Sequence, residues 1–202
     1  MKFPRVIFFL TLLLSVFGFQ AKADEMSVLQ ARVLTVDIVG TLILYHNPNH
    51  SASLAMQKSF ERNIAALDAW VSANSIRPAA DWKKLVDSIQ AMEARSQHEI
   101  ETDSQWMNGF LSSFGRFDDA LLALQSGEAG STLDNAVDTL NLVLARQNYL
   151  YQKVLFADVT GMELGRDDSV MPALDRTVRQ SMDDLAGIVG NDRVLQKLVK
   201  RY

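Results

Sequence analysis

The chain has 202 residues, no cysteine, and 20 basic against 24 acidic side chains, for a formal charge of −4. That length allows one domain with a sizeable core, and an apolar share of 48% excludes intrinsic disorder. The lack of cysteine removes disulfides, thiolate metal sites, c-type haem attachment and a lipidated N-terminal cysteine, and the mild acidity gives no footprint for nucleic acid.

The first segment reads as an export signal. Lys2 and Arg5 precede an apolar run from Val6 to Phe19, and Ala21-Lys22-Ala23 places small residues at −3 and −1 of a cleavage site before Asp24. The run is 14 residues long, short of the roughly 20 that a spanning helix needs. The expected organisation is therefore a cleaved signal peptide over 1–23 and a single helical domain over 24–202. Losing Lys2, Arg5 and Lys22 leaves 179 residues with a charge of −7. An exported, cysteine-free chain fits the bacterial periplasm. The next apolar stretch, Val33 to Tyr45, carries Asp37 and reads as too short to span.

From there the period is helical. Leu29, Val33, Val36 and Val39 predict one helix over about Glu25 to Tyr45. His46-Asn47-Pro48-Asn49-His50 ends it, because proline breaks the hydrogen-bond ladder. A second helix carries Met56, Phe60, Ile64, Leu67 and Val71, and closes over Asn74 to Pro78. Ala79-Ala80-Asp81 leads into a third, with Trp82, Leu85, Ile89 and Met92 on one face. After a break near Thr102, Trp106, Phe110, Phe114, Phe117, Leu121 and Leu124 continue the pattern. Gly127 to Ser131 is a loop. A long helix then runs from Thr132 to about Val159, and Gly161 and Gly165 punctuate. Helices over Val170 to Val189 and Asp192 to Arg201 complete the chain. The expected fold class is all-α, an antiparallel four-helix-bundle-like domain with long helices. Its core should include Leu29, Val33, Phe60, Ile64, Leu67, Leu150, Met182 and Leu185.

An internal duplication is one reading of the spacing. Phe60, Ile64, Leu67 and Val71 repeat as Val178, Met182, Leu185 and Val189, and Ala31-Arg32 and Ala145-Arg146 sit at similar places before the preceding turns. The simpler account is that any two amphipathic helices share this period.

Residues 145–153, Ala-Arg-Gln-Asn-Tyr-Leu-Tyr-Gln-Lys, resemble the G-R-Q-R-M-L-S-Q-R helix of the type IV pilus methyl-accepting transducer N-terminal (PilJ-type) domain. Arg146, Gln147, Leu150 and Gln152 match, and Lys153 is conservative. Ala145, Asn148 and Tyr149 depart from the string, and a first copy at Ala31 to Val39 keeps only Arg32. The resemblance covers most of the chain by helix order but about nine residues by motif. It implies a ligand-sensing helical bundle, in that family sometimes a dimer, whose helix arginines hold a small oxyanion. A guanidinium suits that task, since it offers a planar fork of donors. The implied ligand-binding residues are Arg146, Gln147, Lys153 and Arg32. An ordinary ion pair of Arg146 with Asp158 or Asp138 is the simpler alternative.

The other chemistry-bearing residues carry less. His46 and His50 flank a proline turn without a third ligand, which argues against zinc. His98 with a methionine could serve a haem, but methionines at helical spacing are ordinarily core filler. No nucleophile motif stands out, so no enzyme and no cofactor is expected. The pairs Asp118-Asp119, Asp167-Asp168 and Asp183-Asp184 diverge by about 100° on a helix and read as solvated. Lys197, Lys200 and Arg201 complement a helix C-terminus. Two functions stay open. One is a soluble periplasmic sensor or binding module that acts through a membrane-bound signalling or assembly protein. The other is an interaction module, such as an inhibitor, immunity protein or assembly chaperone, with no small ligand.

The export reading has a direct check. Intact-mass measurement on periplasmic material is expected to show 179 residues beginning at Asp24; a full-length mass of 202 residues there would contradict it.

Overall fold

The structure is a computed structural model, and the residues described are 26–47, 53–74, 78–93, 99, 103–125, 132–161, 164 and 170–189. Residues 1–23, His50, His98, Asp167-Asp168, Gly165, the Gly127 to Ser131 loop and the expected helix from Asp192 to Arg201, with its three basic residues, lie outside them.

Six helices make up the described chain: α1 Val28–Tyr45, α2 Leu54–Asn74, α3 Ala79–Glu93, α4 Ser104–Gln125, α5 Thr132–Thr160 and α6 Val170–Val189. The fold is all-α, as the periodicity predicts. Local chemistry sets the ends. Ser27 caps α1 by accepting from the Gln30 backbone N–H at 3.1 Å, while the Gln30 side chain accepts from the Ser27 backbone N–H at 3.2 Å. The helix therefore begins at Val28, three residues later than its apolar pattern suggests. Asp103 starts α4 in a similar way, accepting from the Trp106 backbone N–H at 2.8 Å. Gly161 ends α5 at φ +72°, in the left-handed region, with its N–H on the Ala157 carbonyl at 2.8 Å.

Packing closes α1, α2, α3 and α4 into a ring in which each helix touches the next and α4 returns to α1. Their shared core centres on residues such as Ile38, Ile43, Leu67, Leu85, Ile89, Met107, Phe110, Phe117 and Leu121. The rings of Trp82 and Phe117 join α3 to α4 at 5.2 Å. The Trp82 indole N–H donates to Asp68 on α2 at 2.9 Å, and the Trp70 indole N–H to the Met26 carbonyl at 2.8 Å. These bonds let large aromatic side chains enter the core without orphaning their N–H groups.

Outside the ring, α5 lies along α1, and α6 packs back on α5 over a smaller cluster of Val143, Leu144 and Val178. The α1–α5 pairs Ser27 with Asp138 and Gly40 with Tyr149 ascend together in number, so these two helices run in the same direction. This departs from a wholly antiparallel bundle. The α1–α2 and α5–α6 hairpins thus stand side by side through their leading helices, an arrangement that a duplicated hairpin would also give.

Of the expected core, Leu29, Phe60, Leu67 and Leu185 are buried, and Val33, Ile64, Leu150 and Met182 are half-buried. At 18 residues and a mean hydropathy of 1.6, α1 is long and apolar enough to cross a membrane by length and composition; the expected short stretch gains Val28 to Arg32. In the fold α1 is instead the central helix, with 61% of that window buried by its neighbours.

The tightest approach is at Gly40. A Cβ there would sit 3.4 Å from the Tyr149 Cα, an ordinary contact with no room beyond it. Gly40→Ala should fold and gain up to about 1 kcal/mol from helix propensity. Gly40→Leu should cost roughly 2–3 kcal/mol by forcing α1 and α5 apart. Urea denaturation of the two variants checks this; equal stabilities would refute the close approach.

Candidate functional site

The site is built on charges carried by apolar helix faces. Arg32 lies three residues after Leu29 and four before Val36, so the α1 period turns it inward, and it is 3% exposed. A buried guanidinium demands a carboxylate. Asp118 supplies it from α4: its Oδ1 accepts from Arg32 Nε at 2.8 Å and its Oδ2 from Arg32 Nη2 at 3.3 Å. The third donor group of Arg32, Nη1, reaches Gln125 Oε1 at 2.6 Å. Arg146 on α5 donates through Nη2 to the same Asp118 Oδ2. One carboxylate therefore receives two guanidinium groups and links α1, α4 and α5. The two arms differ in exposure: the Arg32 side chain is 4% exposed and that of Arg146 is 38%.

Two sequence-based expectations change here. Asp118 is not solvated; the divergence of adjacent side chains puts Asp118 inward and Asp119 outward. The ion-pair partner of Arg146 is Asp118, where the sequence suggested Asp158 or Asp138; Asp138 is buried beside the Ser27 hydroxyl, which donates to it at 3.4 Å. Both changes follow from a contact across 28 residues of chain, which helical spacing does not encode.

Of the four expected ligand residues, the structure unites Arg32 and Arg146 and separates the others. Gln147, turned about 100° from Arg146, donates to Asp175 on α6. Lys153 lies about two turns further along α5, where desolvation lowers its pKa below the usual lysine value. Gln152, from the same motif, is buried, and its amide oxygen has no hydrogen-bond partner among the described residues. Tyr149 meets the Phe114 ring edge-on at 5.2 Å, and burial pushes its phenol up to about 12.

A second carboxylate sits one turn from this cluster. Asp37 on α1 accepts from Asn63 Nδ2 at 2.7 Å; burial raises its pKa to about 6 against the opposing pull of that bond and of Arg62. Its folded-state pKa is raised, so the proton it holds favours the folded state most below pH 3.8, and that contribution is lost as pH rises through 6. Among the described residues there is no group of three His, Asp or Glu side chains arranged to hold a metal.

No protein-family model matches the chain, and neither a curated protein nor a solved structure resembles it at a significant level.

The ion-pair cluster predicts unequal mutational costs. Asp118→Ala leaves a buried guanidinium uncompensated and should cost about 3–5 kcal/mol. Arg146→Ala removes a partner that water can reach and should cost about 1 kcal/mol or less. Chemical denaturation measures both; a cost for Asp118→Ala no greater than that for Arg146→Ala would contradict the arrangement.

Proposed function

We propose that this chain is a soluble periplasmic helical sensor module that takes a small oxyanion at the Arg32–Arg146 pair and passes the event by contact to a membrane-bound partner. One observation carries the reading: guanidinium groups from two parallel helices converge on a single planar carboxylate. Donors that chelate a carboxylate also suit nitrate, nitrite or a free carboxylate. Asp118 is then the internal anion that an external one must displace. Displacement releases α4 from α5 while Arg32 keeps Gln125, so occupancy would alter how the ring meets the α5–α6 arm. Such a ligand shifts the arrangement only by its differential affinity for the two states. The half-exposed Arg146 is the point of entry. The resemblance of residues 145–153 to the PilJ-type helix supports the same residue.

A second reading is a periplasmic interaction module without a small ligand, and the same cluster gives it a footing, because Asp118 already satisfies both arginines. Side chains such as Leu133 and Val137 on α5 and Ile188 on α6, about 40% exposed, offer apolar contact.

A thermal-shift series with nitrate, nitrite and acetate against chloride separates the two. The sensor reading expects one anion to raise Tm by roughly 5–10 °C at a hundred times its Kd. Arg146→Ala should abolish the rise and Arg146→Lys should recover little of it, since an ammonium lacks the planar fork. A flat response of the wild type to every anion would leave the interaction module as the function.

A further inference from the structure

On the other side of α1, where its C-terminal turn faces the first half of α2, lies a pocket of about 200 Å³. It is remote in kind from the arginine cluster, because its charged lining residue is an anion. Leu42 and Phe60, both buried, form its apolar lining. Tyr45 and His46 add two more rings, held edge to face with centroids 5.4 Å apart, and the His46 backbone N–H on the Leu42 carbonyl at 3.1 Å fixes the turn that carries them. The rim holds Glu61. Gln57, one turn earlier on α2, donates to Glu61 Oε1 at 3.0 Å, which steadies the carboxylate.

We propose that this pocket binds a small organic ammonium ion, held by the Tyr45 and Phe60 rings and by the Glu61 carboxylate. Ring faces carry negative electrostatic potential and attract alkylammonium groups, which also need apolar contact for their methyl or methylene surface. Glu61 selects the sign: an anion is repelled, and a neutral guest would cover the carboxylate without pairing it. A single carboxylate among aromatic rings is a poor offer to a divalent metal, which asks for several oxygen or nitrogen ligands. The volume fixes the size. It is below the roughly 300–1,000 Å³ of sites for drug-sized ligands, so the guest has few heavy atoms. The net charge of −4 draws cations toward the chain in general.

Calorimetry at low salt with choline and tetramethylammonium, beside 3,3-dimethylbutan-1-ol as the uncharged counterpart of choline, tests the proposal. The expected result is saturable one-to-one binding of choline, with the alcohol at least about fivefold weaker. Tyr45→Ala and Glu61→Gln, both at exposed positions, should each weaken choline binding about 5–30-fold with unchanged circular dichroism. Arg146→Ala should bind choline as the wild type does, so this outcome is independent of the anion reading. The proposal is overturned by no saturable choline binding in the millimolar range, by equal affinity for the alcohol, or by wild-type affinity in either pocket variant.

Discussion

A guanidinium lies in the second turn of the most apolar of the described helices, and much of the architecture follows from what it needs. Arg32 cannot reach water, so its charge requires a carboxylate with two accepting oxygens and a further acceptor for the remaining N–H group. Asp118 and Gln125 meet that requirement from α4, seven residues apart and therefore on one face of the helix. The rotation of α4 against α1 is thereby set: a turn of α4 that buried its aromatic stripe differently would leave Arg32 unpaired. Such clusters contribute to uniqueness more reliably than to net stability, because desolvating three charges offsets much of their attraction. Here the cluster sits where three helices meet, so Arg146 also ties α5 to it.

The ring and the arm rest on different physics. In the main cluster, buried side chains of the four ring helices join Leu142, Ala145 and Phe156 of α5, and the indole N–H groups of Trp70 and Trp82 are satisfied by Met26 and Asp68. The outermost helix has less: α6 touches α5 over a few aliphatic residues, and its other face is polar. Local opening free energies track buried apolar contact, so α6, which buries only Val178 and Leu185 among its apolar side chains, opens more easily than α5. Arg146 is the charged link between α5 and α4, and it is the residue on which the proposed anion would act.

The sequence spelled out helices more clearly than contacts. Runs such as Phe60, Ile64, Leu67 and Val71, or Val170 to Val189, announce their elements, and the α6 bounds coincide with the expected ones. Ends are legible where the residue type itself makes the stop, as at Gly161, whose missing Cβ permits φ +72°, and less so at α1, where the Ser27–Gln30 box is a weaker mark than the apolar period. Arg32 and Arg146 stand out in the sequence through the resemblance to the PilJ-type helix and the matching Ala-Arg pairs. Asp118 is buried and not solvated, because it lies four residues after Phe114 and three before Leu121 and so shares their face. Adjacency to Asp119 concealed that position. Which charge meets which across the bundle is a tertiary fact, and nothing local to any one helix contains it.

The central claim is that Asp118 is the internal anion of the Arg32–Arg146 pair, and a double-mutant cycle tests it most directly. Unfolding free energies of Arg32→Leu, Asp118→Leu and the double variant should give a coupling of about 2–3 kcal/mol, with the double variant close to, or above, the better single variant in stability. The corresponding cycle between Arg146 and Asp118 should give less than about 1 kcal/mol. Additive effects of Arg32→Leu and Asp118→Leu would mean that the two charges do not meet, and the account built on them would fall.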